Sequence, residues 1–554
     1  MERLVSVVGI FAFLLLAWLC SSNRRVVQWR VVVWGLALQF AFALFILRTP
    51  IGLKIFDWAR IAINTILGFT TYGAAFVFGH LALNPTNPAH EPLMVQYGKP
   101  IGLVFFFGVL TTIIFFASLM SILYHLGIMQ AVVKAVAWVM VRTMGTSGAE
   151  SLSAAANIFV GQTEAPLVVR PYVAQMTKSE LMAVMTGGFA TIAGGVMAAY
   201  VAFGIDAGHL LTASVISAPA ALVMAKLMEP ETEEPMTKGT VRVTFERTTV
   251  NLIDAAAVGA ADGLRLAFNV AAMLVAFLAL LAMINAFLGW LDKIFLSLFI
   301  PLQGRQPLSL ETLLGYLFAP LAFLLGTPTQ DVLTMGGLMG IKVAANEFVA
   351  FVRLSDLKDT VDPRTFVLAT YALCGFANFG SIAIQIGGIS AIAPERRADL
   401  AKLGLKAMWA GALASWLTAC VAGTLISERE ARWRYLVDLS KRTEQVRVFT
   451  QPYEIAKEFA NSANPKEREL AEEVMGKLKK RAKQLWDETE QKAQRLLREG
   501  KRDEAIKAYE DFARQIAFPE WQRKAWEKAK SLRDQRGDGD IKQPTQGTQT
   551  ISLL

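Results

Sequence analysis

The sequence predicts an all-α polytopic membrane protein with a soluble α-helical extension at its C-terminus, and three observations support this fold class. The 554 residues are 54% hydrophobic, with a mean hydropathy of +0.40, which is too apolar for a soluble protein of this length. Apolar segments of about 17–25 residues, the length that spans a bilayer as a helix, recur as far as Ser427. From Glu428 onward the composition changes to one rich in Lys, Arg, Glu and Gln.

Eight apolar segments are long enough to be transmembrane helices. The first lacks a clear small-residue cleavage site, so it is interpreted as a retained helix. In chain order the eight predicted spans are Leu4–Cys20, Val31–Leu47, Ile101–Leu123, Leu181–Phe203, Leu210–Leu227, Leu266–Leu291, Phe366–Ile386 and Ala407–Ile426. Between them, Gly127–Gly145 carries Lys134 and Arg142 within apolar sequence, which is typical of an interfacial helix.

The distribution of charge predicts how these spans are oriented. The net charge is +9, but the cations gather at the ends of apolar segments and form no aromatic-interleaved patch, so nucleic acid is not an expected partner. Arg24, Arg25 and Arg30 follow the first span and place that loop on the cytoplasmic side by the positive-inside rule. Eight spans then return the C-terminal tail to the outer side, although Arg429 and Arg432, just after the last span, argue against this.

Two further segments are long enough to enter the membrane but are interrupted by polar residues. Residues 146–175 contain Asn157, Gln162 and Glu164, and residues 327–358 contain Asn346 and Glu347. Irregular backbone is tolerated at membrane depth only where it is buried in protein or lines a wet cavity. Both segments are therefore predicted to be re-entrant hairpins.

A weak internal repeat links the two hairpins. Each is followed by an apolar segment containing Gly-Phe-Ala: "GGFATIAGGV" (Gly187–Val196) and "CGFANFGSIA" (Cys374–Ala383). The alignment of these segments sets Thr191 against Asn378. Interrupted segments in corresponding halves indicate a transporter built from an inverted repeat, with its site between the halves.

The stretch "GIKVAANEFVAF" (Gly340–Phe351) has a lysine, an asparagine and a glutamate inside an apolar run. A carboxylate such as Glu347 is costly at membrane depth unless it faces a partner, a cavity or a ligand, so it marks a candidate functional site. Lys342 is interpreted as a structural cation. Glu150 and Arg170 are candidates for an ion pair that ties the base of the first hairpin.

The cysteines and histidines do not point to catalysis. Cys20, Cys374 and Cys420 lie in apolar sequence at no metal-like spacing, and the four histidines are scattered. The sequence contains no recognisable nucleophile–base pair, so an intramembrane enzyme is the least favoured class.

Three motifs together resemble the concentrative nucleoside transporter family, of the bacterial, sodium-coupled type. They are "GQTEAPL" (Gly161–Leu167), "GIKVAANEFVAF" and "CGFANFGSIAIQIGG" (Cys374–Gly388), and the resemblance extends over roughly Val5–Ile426. It implies a symporter, not an enzyme, that imports nucleosides on the sodium gradient across the plasma (inner) membrane. It further implies eight spans, two re-entrant hairpins and a homotrimer.

The same resemblance implies roles for individual residues. Residues of the first hairpin and the following span would meet the nucleobase, and residues of the second hairpin and its following span would hold the ribose. The implied base contacts are Gln162, Thr163, Glu164 and Val196, and the implied ribose contacts are Glu347, Phe376, Asn378 and Ser381. The implied sodium ligands are Asn157, the carbonyl of Val160, the Thr191 hydroxyl and the carbonyl of Ile192.

The expected domain organisation follows from these assignments. Residues 1–100 hold scaffold spans and an outer loop, 101–426 form the transport core, 427–535 form the charged helical tail and 536–554 are a flexible end. Around Gly500 the tail resembles one tetratricopeptide unit, and a plain helical hairpin is the alternative. A protein partner of the tail is a further possibility.

The residues alone do not decide which ion, if any, drives transport. Sodium coupling is the first hypothesis, and proton coupling through Glu164 or Glu347 is the second. The third is a nucleoside-binding sensor or scaffold that acts through its tail without transport.

Overall fold

The computed structural model describes residues 1–83, 94, 104, 106–239, 249–296 and 308–534. The chain divides into two units, which are described separately. The membrane unit comprises Met1–Ser355 and Thr365–Ser427, and the tail unit comprises Asp356–Arg364 and Glu428–Leu554. The predicted flexible end and most of the predicted outer loop after residue 83 lie outside the described residues.

The described part of the membrane unit is helical. Its helices are α1 Glu2–Leu19, α2 Trp29–Arg48, α3 Pro50–Phe78, α4 Thr111–His125, α5 Ile128–Met144, α6 Gly148–Ala156, α7 Ala165–Val168, α8 Arg170–Val173, α9 Lys178–Ala190, α10 Gly194–Ala202, α11 Ala207–Met228, α12 Leu252–Leu291, α13 Leu310–Leu324, α14 Val332–Ala344, α15 Glu347–Asp356, α16 Pro363–Leu373, α17 Phe379–Ile392 and α18 Arg397–Leu425. The expected all-α fold class is confirmed.

Eight helical stretches among the described residues are long and apolar enough to cross a membrane, but they are not the eight predicted from sequence. Seven of them overlap predicted spans, and α9 and α10 together form one of these seven. The eighth, Pro50–Ala82, has no predicted counterpart. The predicted span Phe366–Ile386 is instead two shorter helices, α16 and α17, separated at residues 374–378.

Contacts between helix ends define two faces of the membrane unit. At the basic face, defined by residues 20–30, the Ser22 amide donates to the Met228 carbonyl (2.9 Å) and Arg30 donates to the Thr143 carbonyl (3.0 Å). At the opposite face, the Arg3 guanidinium donates to the Thr424 carbonyl (2.7 Å). Both α1 and α18 therefore begin and end on different faces.

Among the described residues, both ends of helix α3 have aromatic contacts near the same face of the membrane unit. Near its N-terminus Phe56 packs edge-on against His209 at the start of α11, which is the end opposite Met228. Near its C-terminus Phe78 packs on Phe107, just before α4, and the same segment contacts α10 as that helix approaches the opposite face. Although α3 is long and apolar, these contacts place it along the opposite face. Seven predicted spans then remain as crossing helices of span length among the described residues, and the eighth, Phe366–Ile386, is the pair of shorter helices α16 and α17.

The tail unit has its own hydrophobic core. Its helices are α19 Glu428–Arg442, α20 Thr450–Ala460, α21 Pro465–Arg498, α22 Arg502–Gln515 and α23 Pro519–Asp534. Trp486 on α21 packs against Tyr509 and Phe512 of α22, with ring centroids 5.9 and 5.4 Å apart. Gly500 separates these two helices with a φ of +75°, a conformation that favours glycine.

The tail unit also includes the short loop that joins α15 to α16. Arg442 forms two hydrogen bonds with the Asp359 carboxylate, at 3.1 and 2.8 Å, and the Tyr435 hydroxyl donates to the same carboxylate at 2.8 Å. Burial and the neighbouring Asp359 raise the pKa of Tyr435, so it remains a donor at physiological pH. Arg432 holds Asp362 in a similar way (2.8 Å). Planar two-bond pairing of this kind fixes orientation as well as distance.

We expect Arg442→Met to loosen this loop. The variant removes both bonds to Asp359 and the cation–π contact with Tyr435, while the aliphatic part of the side chain is retained. Hydrogen-exchange mass spectrometry should then show faster exchange in peptides covering residues 356–364. The control is Arg495→Met, because Arg495 is 72% exposed and lies 4.0 Å from its partner. Equal exchange in the two variants would contradict a role for Arg442 in holding the loop.

Candidate functional site

The first predicted hairpin is two helical arms around an irregular tip. Ser147 begins α6 with a capping box, in which its hydroxyl accepts from the Glu150 amide and the Glu150 carboxylate accepts from the Ser147 amide. The helix ends after Ala156, and Asn157 to Glu164 form the tip. The Gly148 amide donates to the Thr237 carbonyl (2.9 Å), in the segment that follows Met228. The hairpin therefore enters from the basic face.

The helix that follows this hairpin is broken at mid-length. α9 ends at Ala190, Thr191 is extended, and α10 restarts at Gly194. The Gly194 amide, which is unsatisfied within its own helix, donates to the Phe159 carbonyl at 3.0 Å. This bond holds the hairpin tip against the break.

The second hairpin enters from the opposite face. The Thr365 hydroxyl bonds Asp331, just before α14, at 2.7 Å, and the Ser355 hydroxyl bonds the Phe203 carbonyl at 2.7 Å. Between α14 and α15 the tip consists of Ala345 and Asn346. The Asn346 side chain accepts from the Val349 amide (2.8 Å), so it caps α15 and makes Glu347 the first residue of that helix.

The helix after the second hairpin is also broken. Gly375, between α16 and α17, has a φ of +153°, and a Cβ there would lie 2.6 Å from the Phe189 carbonyl oxygen. Only glycine allows the chain this conformation so close to α9. Asn378 then begins α17, and its side-chain oxygen accepts from the Ser381 amide at 2.8 Å.

Hydrogen bonds from both hairpins converge on the first turn of α17 and so connect the two hairpins. The Gln162 amide nitrogen donates to the Ser381 hydroxyl (3.2 Å). One turn earlier, the Asn378 amide nitrogen donates to the Glu347 carboxylate (3.0 Å). Gln162 and Glu347, which are far apart in sequence, are thereby brought to the same end of one helix. All four side chains are largely buried.

Matches to known proteins agree with this arrangement. Residues 8–81 and 209–423 match the models for the N-terminal and C-terminal parts of the Na+ dependent nucleoside transporter, and residues 106–207 match a nucleoside recognition (Gate) model. The chain belongs to the Na+ dependent nucleoside transporter family. The family-model matches end at residue 423, before the charged segment that begins at Glu428.

Individual members of the family are similar over most of this chain. The rat (Rattus norvegicus) Sodium/nucleoside cotransporter 1 is 45% identical over 445 residues, which is 77% of this chain and 64% of the relative. The mouse (Mus musculus) Solute carrier family 28 member 3 is 43% identical over 440 residues, 76% of this chain and 59% of the relative. The chain thus spans less than two thirds of these relatives. The structure of CNTnw in an inward-facing substrate-bound state is 40% identical, with a TM-score of 0.69, covering 77% of this chain and all of CNTnw.

In this chain, the residues that the family resemblance assigns to the ribose lie close together. Glu347, Asn378 and Ser381 are connected by the bonds described above, and Phe376 lies in the break just before α17. The Asn378 side chain uses its oxygen to cap the helix and its nitrogen to hold the carboxylate. The Glu347 carboxylate is therefore fixed in place by a neutral amide donor.

The residues assigned to the base lie on the first hairpin and α10. Gln162 is buried, Thr163 is half-buried and Glu164 is exposed, with its carboxylate beside Gly161. Val196 is buried on the first turn of α10. Two acidic residues, Glu164 and Glu347, were predicted at the site. Among the described residues, only Glu347 takes part in the hydrogen bonds that connect the two hairpins.

The assigned sodium ligands lie where the hairpin tip meets the broken helix. The Asn157 amide nitrogen donates to the Ser153 carbonyl (3.0 Å), and its oxygen is buried without a hydrogen-bond partner. The Thr191 hydroxyl donates to the Gly187 carbonyl (2.9 Å), which leaves its lone pairs as acceptors. Val160 and Ile192 flank the Phe159–Gly194 bond. A buried amide oxygen with no partner suits a hard cation that prefers oxygen ligands.

Two polar residues at the site were missed in the sequence analysis. The Tyr200 hydroxyl donates to Glu347 at 3.4 Å, and the Tyr200 ring stacks on Phe351 at 4.2 Å. The Gln385 amide donates to Gln162 at 3.1 Å. Gln385 follows Asn378 by two helical turns, so helical periodicity could have placed both on one face. Tyr200 follows Val196 by one turn on α10, which gives the same kind of signal.

The expected ion pair at the base of the first hairpin is wrong in its partner. Glu150 pairs with Lys226 of α11 at 2.7 Å, and both side chains are almost fully buried, whereas Arg170 is exposed. Lys226 also contacts Glu231 (3.3 Å). Another buried cation, Lys342, donates to the Ala372 carbonyl at 2.9 Å, near the break after α16.

We expect Lys226→Met to destabilise the protein by about 3–5 kcal/mol, because removal of one partner leaves a buried carboxylate uncompensated. The matched control is Lys238→Met, since Lys238 is 67% exposed and its pair with Glu234 should contribute less than about 1 kcal/mol. Thermal unfolding in detergent measures both. If Glu150→Gln restores no stability to the Lys226→Met variant, or if both single variants unfold at the same temperature, the buried pair is not an important contact.

Proposed function

We propose that this protein imports nucleosides by sodium-coupled symport, with the substrate held between the two hairpins and the broken helices that follow them. The observation that carries the proposal is the bonded chain from Gln162 through Ser381 and Asn378 to Glu347. An amide and a carboxylate at one helix terminus support a site that binds a base and a sugar together. The polar groups of a nucleoside need such replacements for water inside a membrane.

The base half of the proposed site combines neutral groups with one carboxylate. Gln162 offers amide N–H donors for the edge of a nucleobase, Thr163 offers a hydroxyl, and Val196 offers an apolar wall. Glu164, which is exposed, completes the base half from the hairpin tip.

The ribose half of the proposed site uses charge. Glu347 accepts from vicinal hydroxyls, and bonds to a charged acceptor are roughly twice as strong as neutral ones. Asn378 and Ser381 contribute further polar atoms, and Phe376 packs against the nucleoside. A deoxynucleoside would leave part of this set unpaired, at a cost of about 1–3 kcal/mol.

Sodium is proposed to couple to substrate through the first hairpin tip. Asn157, Thr191 and the carbonyls of Val160 and Ile192 would bind the ion without a further fixed charge. An ion that orders the tip also orders Gln162, five residues later, so each ligand favours binding of the other. Each charge that crosses with the field supplies about 2.3 kcal/mol per 100 mV.

The test is uptake of labelled uridine into proteoliposomes with and without an inward sodium gradient. Accumulation that requires sodium supports the proposal. Accumulation driven by external acid in sodium-free buffer would show a proton symporter instead. Binding of uridine without flux in either condition would show a sensor or scaffold.

The location and assembly of the protein are proposed from the family resemblance and the charge pattern. The chain is expected in the plasma (inner) membrane as a homotrimer. The basic face carries Arg24, Arg25, Arg396 and Arg397 and is proposed to be cytoplasmic. Both α1 and α18 have their outer ends at the opposite face, so the tail unit would lie outside, where a protein partner could reach it.

Protease accessibility on intact cells or spheroplasts tests the location of the tail. Cleavage after Glu428 in intact spheroplasts supports an outer tail, and cleavage only after lysis contradicts it. Mass photometry of the purified protein tests the trimer.

A further inference from the structure

Gln385 is buried on α17, where it holds the amide of Gln162. Its side-chain nitrogen donates to the Gln162 side-chain oxygen and to the Met185 carbonyl, both at 3.1 Å. Gly188 makes room for this pair, because a Cβ there would lie 2.8 Å from the Gln385 nitrogen and 2.9 Å from the Gln162 Cβ.

One backbone carbonyl fixes the direction of every bond in this set. The Met185 carbonyl can only accept, so Gln385 must direct its NH2 group toward it. The same NH2 group faces Gln162, which must therefore present its oxygen to Gln385. The nitrogen of Gln162 is then left on the side of Ser381, to which it donates at 3.2 Å. With Gln385 absent, either orientation of the Gln162 amide can pair with a hydroxyl such as Ser381.

We propose that Gln385 is a positioning residue that sets base selectivity, because it keeps the Gln162 amide oriented with N–H toward the substrate. This inference rests on the proposed function and deepens it. A site that presents N–H favours a base with a carbonyl on its pairing edge over one with an amino group. The carrier then prefers uridine to cytidine and inosine to adenosine.

The experiment measures kcat/KM for these four nucleosides with the full chain in proteoliposomes. In Gln385→Met, which is similar in size and apolar, the uridine-to-cytidine and inosine-to-adenosine ratios should each fall about five-fold, the effect of roughly one hydrogen bond. Gln39→Met is the control, because Gln39 is a fully buried glutamine on α2 and its replacement should leave both ratios unchanged.

Equal loss for all four nucleosides in Gln385→Met would indicate a merely structural role and overturn the inference. A second variant covers the case in which Gln385→Met does not fold. Gln162→Glu still accepts from Gln385 but has no N–H, so both preferences should reverse, and retention of the carbonyl preference would also overturn the inference. If the unmodified protein transports none of the four, the proposed function itself fails, which is a separate result.

Discussion

Glu347→Gln is expected to lower kcat/KM for uridine by about 100-fold. The change keeps the shape of the side chain and an oxygen that accepts from Asn378, reverses the bond with the Tyr200 hydroxyl and removes the charge. A hydrogen bond to a charged group contributes about 1.5–3 kcal/mol, which corresponds to about 10- to 150-fold. Sodium-driven uptake of labelled uridine in proteoliposomes measures the effect.

The sugar gives this prediction a second readout. If Glu347 meets the ribose hydroxyls, the unmodified protein prefers uridine to deoxyuridine, and this preference should shrink toward one in Glu347→Gln. A substitution that only damaged the fold would lower uptake of both substrates equally.

The matched control is Glu395→Gln, the same change at an exposed position just before α18. It should transport at the unmodified rate. Uptake by Glu347→Gln within three-fold of the unmodified protein would mean that Glu347 does not hold the substrate.

The crossing helices could be predicted from sequence because the membrane imposes one strong rule. Apolar segments such as Val31–Leu47 and Leu210–Leu227 satisfy their backbone internally and bury no charge, and the structure has α2 and α11 there. Pro50–Ala82 passes the same test of length and composition. Only its contacts through Phe56 and Phe78 indicate that it lies along one face.

The breaks in helices were harder to predict because they depend on distant partners. Phe366–Ile386 is apolar enough over its length to be predicted as one span, yet the helix is broken around Gly375. There α16 ends against the Phe189 carbonyl, and Asn378 caps a new helix. Gly375 and the capping residue Asn378 were visible in the sequence. Neither residue indicates that the non-helical backbone between the two helices packs against α9.

Side-chain contacts between helices that are distant in sequence could not be predicted from residue spacing. The expected partner of Glu150 was Arg170, at the other end of the same hairpin, and the partner is Lys226 on α11. A buried carboxylate pairs with the cation that the tertiary fold brings next to it. The distance between the two residues in sequence does not indicate which cation this is. The bond from Gln385 to Gln162 is of the same kind.

Asn157→Ala is expected to raise the sodium concentration for half-maximal uptake by at least about ten-fold, equivalent to ~1.4 kcal/mol of ion binding. The reason is the Asn157 oxygen, which is buried without a hydrogen-bond partner while its nitrogen is bonded to Ser153. An unsatisfied buried acceptor costs about 1–3 kcal/mol, so such a group requires an explanation, and a bound cation supplies one. Uptake of uridine across a sodium titration measures the shift.

Thr191 allows the ion to be tested through a hydroxyl. Thr191→Ser keeps the oxygen and should keep the sodium response, whereas Thr191→Val keeps the shape and should lose it. Asn23→Ala, in the exposed loop between α1 and α2, controls for loss of an asparagine elsewhere. An unchanged sodium titration in both Asn157→Ala and Thr191→Val would contradict a sodium site at this hairpin tip.

The two sets of variants also separate the ion from the substrate. If sodium orders the tip that carries Gln162, then Asn157→Ala should weaken uridine binding at low sodium and recover most of it at high sodium, because the two ligands share one ordering step. Glu347→Gln lies on the other hairpin and should weaken uridine binding at every sodium concentration. A sodium-dependent defect in the first variant and a sodium-independent defect in the second would assign coupling to the first hairpin and sugar recognition to the second.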